Sequence, residues 1–177
     1  RAGEELSGPL FDTQDAQNAI KLLTPCNYRE DIKIGEGITA RFTDAGHLLG
    51  SAYIKLIIEE NGITRRFVFS GDIGNKNKPI IKDPQEINNA DYVIMESTYG
   101  NRLHKKSENY AKQLGEIFDS TFKRGGNVVI PSFSVGRTQE ILYIIRDIKV
   151  KGFVKSKPDF PVYVDSPLAL EAVSIYS

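Results

Sequence analysis

Ile38, Ala40 and Phe42 fall on one side of the chain, and Thr39, Arg41 and Thr43 on the other. Alternation with a period of two predicts a half-buried strand. The pattern returns over 52–60, where Ala52, Ile54, Leu56 and Ile58 are expected to face inward. Asn61-Gly62 then supplies the positive backbone angles of a two-residue hairpin, and the next strand is expected over 63–69. This part reads as an antiparallel sheet that offers one face to a core. Ahead of it, Phe11, Ala16, Ala19, Ile20 and Leu23 recur at helical spacing, with Asp12 or Thr13 as N-cap and Pro25 as the stop.

The character changes from Asp91. Tyr92-Val93-Ile94-Met95 is a short, continuously apolar run, the mark of a strand covered on both faces. Ser107 is expected to cap a helix whose stripe is Tyr110, Leu114, Ile117, Phe118 and Phe122, ended by Gly125-Gly126. Residues 127–130 and 161–164 read as two further buried strands. Between them, a turn over 132–136 leads into a helix with Ile141, Leu142, Ile145 and Ile148 on one side. Strands alternating with helices predict parallel α/β units. The boundary between the two characters is expected near 100–104.

Composition narrows the function classes. Lys+Arg and Asp+Glu both number 23 among 177 residues, so the formal net charge is zero and no global field draws the chain to polyanions or membranes. The single cysteine, Cys26, excludes an intrachain disulfide and any multi-cysteine metal site. No apolar run approaches the roughly 18 residues of a membrane span. Arg1-Ala2-Gly3-Glu4-Glu5 does not have the pattern of a signal peptide. A new strand-to-helix unit opens at Val164, and the chain stops about one helix later, so an internal piece of a larger protein is expected.

Four places carry candidate chemistry. His47 follows a strand end and a glycine, and reads either as a hydrogen-bonded loop histidine or as a metal ligand. Asp72, in Ser70-Gly71-Asp72-Ile73-Gly74, reads either as an Asx-type turn or as a ligand. The hairpin between them returns both to one edge of the sheet. Glu96 stands at the C-terminal end of a strand, where α/β proteins place functional groups, although a turn cap is the competing reading. Ser132, Ser134 and Arg137 surround a helix start that favours an anion; plain N-capping by Ser134 is the alternative. Lys76, Lys78, Lys105 and Lys106 read as solvated faces, and His104 as a surface loop histidine.

Five segments, in order, resemble the β-CASP group of metallo-β-lactamase-fold hydrolases. They are Asp44-Ala45-Gly46-His47 with Leu49-Gly50-Ser51, the run Ser70 through Asn75, Glu96-Ser97-Thr98-Tyr99-Gly100, the stretch 131–140, and Val164-Asp165-Ser166-Pro167. The resemblance runs from about Pro9 to the end, in particular to bacterial and archaeal relatives of the cleavage and polyadenylation endonuclease subunit. It implies an α/β fold: the later half of a metallo-β-lactamase αββα sandwich over 1–100, then the start of an inserted β-CASP α/β domain over 101–177. It implies hydrolysis of RNA phosphodiesters at a site with two zinc ions. On the matching positions, His47 would be a ligand to one zinc and Asp72 the carboxylate bridging both. Glu96 would be the acidic residue that orients a later histidine, the proton donor to the leaving oxygen.

The sequence departs from the family in one large respect. The family's His-x-His-x-Asp-His cluster is absent, and its later histidines would fall beyond Ser177. The expectation is an internal segment, inactive alone, that binds zinc weakly or not at all, from a parent that holds two zinc ions. Ser132, Ser134 and Arg137 are expected to contact substrate. The implied partner is single-stranded RNA in the cytoplasm, with no membrane; a homodimer of the parent is compatible. Two other readings stand beside it: a non-catalytic scaffold of an RNA-processing complex, and a metallo-hydrolase of small thioesters or lactams.

Overall fold

The computed structural model describes residues 9–103 and 109–176. Nine elements follow in chain order: α1 (Thr13–Ile20), β1 (Asp31–Gly35), β2 (Ile38–Asp44), β3 (Ala52–Glu60), β4 (Ile63–Phe69), β5 (Tyr92–Ile94), α2 (Tyr110–Lys123), α3 (Arg137–Val150) and α4 (Pro167–Tyr176). The five strands form one sheet in the order β1-β2-β3-β4-β5. The first four are antiparallel neighbours, and β5 runs parallel to β4. The chain is therefore mixed α/β, as its patterning implies, and consistent with a partial metallo-β-lactamase-like fold.

Alternation and the Asn61-Gly62 turn account for the central hairpin. Asn61 and Gly62 take φ of 50° and 73°, the sign such a turn requires. Register sets Ala40 opposite Leu56 and Phe42 opposite Ile54, so the expected apolar face exists. It is only thinly covered: Ala40 is buried, but Ile54 and Phe69 are each 36% exposed. The more buried positions of β3 and β4 are Tyr53 and Val68, on the opposite face, where Lys55 also reaches the Asn88 carbonyl. β5 forms where the apolar run predicts, yet its residues are exposed, so the expectation of cover on both faces is corrected. The reason is topological. β5 is an edge strand, and among the described residues no helix packs on any strand.

The helices instead pack on one another, α2 against α3 and α3 against α4. Their core is Ala111, Phe118, Ile145, Ile148, Val154 and Phe160. Phe118 meets Phe160 edge-on at 5.5 Å, a favoured aromatic geometry. Of the expected α2 stripe, Phe118 belongs to this core and Leu114 and Phe122 pack on it, and the buried face extends to one side of them. Ala111 and Gly115 are buried, whereas Tyr110 and Ile117 are exposed. Gly115 sits where a side chain would come within 2.7 Å of Phe153 Cβ, so the small face of the helix is the packed one. Asn109 caps α2, its side chain accepting from Lys112 N; Ser107, the expected cap, lies outside the described residues.

Two expected strands do not form. Residues 127–130 and 161–164 take no regular element and join no ladder among the described residues. Extended backbone becomes a strand only when a neighbour takes up its N–H and C=O groups. These segments instead flank a cleft of about 730 Å³ beside α2 and α3. At the N-terminus, Asp12 and Asp15 form a capping box, but α1 is shorter than its periodicity suggests and buries none of its residues.

Candidate active site

The site is built where two glycine-bearing loops close on each other at the end of the sheet. The loop after β2 is pinned by its own side chains. Asp44 Oδ1 accepts from Gly46 N at 2.8 Å, and Ser51 Oγ accepts from the N–H groups of His47 and Leu48 at 3.0 and 3.2 Å. The loop after β4 docks on it through Gly74, whose N–H donates to the Ala45 carbonyl at 2.9 Å. A side chain at Gly74 would overlap the carbonyl of Gly46 and come within 2.6 Å of His47 N. Glycine is needed there for close approach of backbones. Lys82 and Pro84 press on Gly46 from its other side.

This clasp brings His47 Nε2 to 3.9 Å from Asp72 Oδ2. His47 is partly exposed and Asp72 largely so. Glu96 lies at the same edge, two residues beyond the end of β5. Its Oε1 accepts from Ile73 N at 2.6 Å, and its Oε2 accepts from the Thr98 hydroxyl at 2.7 Å. The Ile73 N–H, the Thr98 hydroxyl and nearby His47 hold the Glu96 carboxyl below the usual carboxylate range. Ser70, buried, accepts from Glu96 N at 3.0 Å and fixes the backbone between the two loops. Glu96 thus braces the residue next to Asp72.

The turn before α3 arrives from the helical half. Gly136, with φ of 81°, is the N-cap residue and makes no side-chain cap, so N-capping by Ser134 is not what the fold uses. A side chain at Gly136 would collide with Leu48, the residue after His47. Tyr176 at the end of α4 also reaches over, its hydroxyl accepting from Leu49 N at 3.3 Å. Together His47, Asp72, Glu96, Thr98, Phe133 and Arg137 line one cleft of about 780 Å³.

The other two expected substrate contacts lie elsewhere. Ser132 and Ser134 line the cleft beside α2 and α3. Their hydroxyls are engaged, Ser132 with Thr138 at 2.7 Å and Ser134 with Ser166 at 3.2 Å. Arg137 faces the first cleft but pairs with Glu140 at 2.8 Å. Two N–H groups at the start of α3 are also taken, Arg137 N by the Val135 carbonyl and Thr138 N by the Phe133 carbonyl. His104 lies outside the described residues. Two lining residues escape the sequence reading. Lys78, half-buried, approaches the His47 carbonyl at 3.4 Å rather than standing on a solvated face. Phe133 sits inside the 131–140 stretch but carries no charge or nucleophile to mark it.

An imidazole nitrogen and a carboxylate oxygen are suitable zinc donors, with bonds near 2 Å. At 3.9 Å the two atoms stand roughly 0.5 Å farther apart than two donors of a tetrahedral zinc, so a small approach of these exposed side chains lets them share one ion. Among the described residues no group of three or more His, Cys, Asp or Glu side chains converges. The pair therefore fits half of a zinc coordination sphere and needs donors from elsewhere.

No family model matches the chain. It is 37% identical over 168 residues to Ribonuclease TTHA0252 of Thermus thermophilus, a match that covers 95% of this chain and 37% of that protein. It is 34% identical to an RNase J-like protein of Methanocaldococcus jannaschii, over 94% of this chain and 38% of that one. It is 30% identical to Cleavage and polyadenylation specificity factor subunit 3-I of Arabidopsis thaliana, over 94% of this chain and 23% of that one. The chain thus spans well under half the length of these relatives.

Proposed function

Because the chain belongs to the metallo-β-lactamase-fold β-CASP family, we propose that it is a segment of a zinc-dependent nuclease that hydrolyses RNA phosphodiester bonds. The observation that carries this reading is the clasp that sets His47 Nε2 3.9 Å from Asp72 Oδ2, with Glu96 bracing it. The names of the relatives supply the substrate class. In this reading residues 1–100 are part of the metallo-β-lactamase-like unit and 101–177 open the β-CASP unit. The separate sheet and helical cores support that division.

His47 and Asp72 would hold zinc together with ligands outside this sequence, Asp72 bridging two ions. When bound, such ions supply Lewis acidity, lowering the pKa of water and neutralising charge on phosphate oxygens. Glu96 keeps Asp72 in place through Ile73 N and retains lone pairs to orient a histidine from later in the full-length protein. Arg137, which lines the same cleft, supplies a guanidinium for a phosphate. Single-stranded RNA, in the cytoplasm, is the proposed partner. With two donors where a stable zinc site uses three or four, this chain alone would be inactive.

The test is metal removal from the full-length protein. Purified protein should carry zinc and cut end-labelled single-stranded RNA, lose cleavage on chelation, and regain it with zinc. Cleavage that persists after the metal is gone would overturn the reading.

A further inference from the structure

Phe133 stands out in the candidate cleft because it is 85% exposed on a turn that is otherwise tied down. Its carbonyl accepts from the Thr138 hydroxyl at 2.7 Å and from Thr138 N at 3.3 Å. Thr138 is buried, and its one hydroxyl proton goes to that carbonyl, so Ser132 is the donor in the 2.7 Å contact between the two hydroxyls. Gly136, packed on Leu48, fixes the turn against the loop that carries His47. A floppy tip would explain an exposed ring by lack of order. Here Thr138 and the seat of Gly136 on Leu48 hold the backbone, and the ring is still exposed.

Tyr99 and Val135 share this cleft but are only about half as exposed, at 48% and 41%, and the more distant exposed apolar side chains have a different setting. Tyr92 and Phe69 belong to a sheet face, and Tyr163 and Val129 flank the apolar cleft of the helical half. The cleft around Phe133 is mixed: Leu48, Ile73, Ile80, Ile81 and Val135 share it with charged or ionisable side chains, among them His47, Asp72, Lys78, Glu96 and Arg137. An apolar partner laid on this ring would have to desolvate those groups without pairing them, which is costly. A nucleotide suits the surface: a flat base for the ring, and a phosphate for the cations beside it. Exposed aromatics next to basic side chains are how single-stranded nucleic acid is gripped without base-specific hydrogen bonds.

We propose that Phe133 is a stacking platform for one nucleobase of the substrate, next to the phosphate held in the cleft with His47 and Asp72. The proposal rests on the nuclease reading given above. It assigns Phe133 to binding and register, so its loss raises KM and shifts the cleavage position more than it lowers kcat.

The experiment uses the full-length protein and a set of single-stranded RNA oligonucleotides, each with one abasic nucleotide at a successive position around the cut. Wild type should lose affinity at one position by about fivefold or more, the range of a single base-to-aromatic stack. Phe133→Ala should lose a similar factor on intact RNA and show no further loss at that abasic position. Phe133→Tyr should bind like wild type, whereas Phe133→Leu, similar in bulk but without a ring, should behave like Phe133→Ala. Unchanged zinc content and circular dichroism would confirm that the variants are folded. An abasic penalty that is the same in Phe133→Ala as in wild type overturns the stacking role, as does wild-type affinity in Phe133→Leu. If wild type cuts RNA and Phe133→Ala is indistinguishable from it, only this inference falls. If wild type neither binds nor cuts RNA, the nuclease reading falls and takes this one with it.

Discussion

Replacing Gly74 by alanine probes whether the backbone clasp sets the distance between His47 and Asp72. Gly74 does not have positive φ, so alanine meets no conformational strain there and the whole effect is spatial. Its new methyl would overlap the Gly46 carbonyl and lie 2.6 Å from His47 N, where real Cβ contacts stay beyond 3.0 Å. The loop after β2 must then withdraw by more than about 1 Å, and His47 moves with it. Metal–ligand distances tolerate only about 0.2 Å, so an opening of that size takes one of the pair out of reach. Misplacement of about 1 Å typically costs on the order of a hundredfold in rate. Overpacking should also cost about 1–3 kcal/mol of stability. Gly62→Ala is the control. That residue has φ of 73° with open space around it and lies at the far end of the hairpin, so alanine costs about 1–2 kcal/mol without touching the site. In the full-length protein, zinc affinity, RNA cleavage and melting temperature would be measured for both. Gly74→Ala should lose metal and rate, and Gly62→Ala stability alone. Wild-type zinc affinity and rate in Gly74→Ala would refute the argument that this contact fixes the site.

Three further outcomes follow from the same geometry. If Glu96 serves a proton donor rather than the metal, as proposed, Glu96→Gln in the full-length protein should keep zinc but cut RNA about a hundredfold to ten-thousandfold more slowly; metal analysis beside single-turnover rates checks this. Arg137→Ala should weaken single-stranded RNA binding about equally for all sequences and reduce the salt slope by about 1, read from titrations at several salt concentrations. Asp119 accepts from Lys123 and from the N–H groups of Ser156 and Lys155, which depress its carboxyl pKa below the ordinary 3.8. A depressed carboxyl stabilises the fold above its unfolded pKa and ceases to do so as pH falls through the folded one. Asp119→Asn should therefore melt earlier than wild type at neutral pH, with the gap closing progressively below about pH 4 in thermal melts.

What the sequence disclosed of the fold divides along local and non-local lines. The β3–β4 hairpin was legible because alternation and an Asn-Gly turn are both local. Strand pairing is not local. Residues 127–130 and 161–164 have strand composition but join no ladder among the described residues, and composition cannot show whether a neighbour is in place. The continuous run at Tyr92 marks what β5 could bury, while its 46% exposed tyrosine records what now covers it. The α2 stripe is right at Leu114, Phe118 and Phe122 and widens toward Ala111 and Gly115, away from Tyr110 and Ile117, for a packing reason. Ala111 and Gly115 count little on a hydrophobic scale, yet small side chains let Ile148 and Phe153 come close.

The site shows the same division at finer scale. A hairpin must return its two ends to one edge, so the neighbourhood of His47 and Asp72 follows from spacing alone. Nothing in spacing shows that Glu96 would brace Ile73 or that Lys78 would fold back to the His47 carbonyl, because both depend on how loops close. Ser134 illustrates the limit of motif reasoning. A serine shortly before a helix looks like an N-cap, but a glycine at 136 with φ of 81° moves the start of α3, and the hydroxyl turns instead to Ser166, 32 residues on. The glycine takes that conformation where Leu48 leaves no room for a side chain. The contact that displaces the cap is thus also the one that seats the turn beside His47. The departure from the local rule therefore falls at the junction where the cleft is made, and that coincidence argues for function at this junction rather than for a defect in the helix.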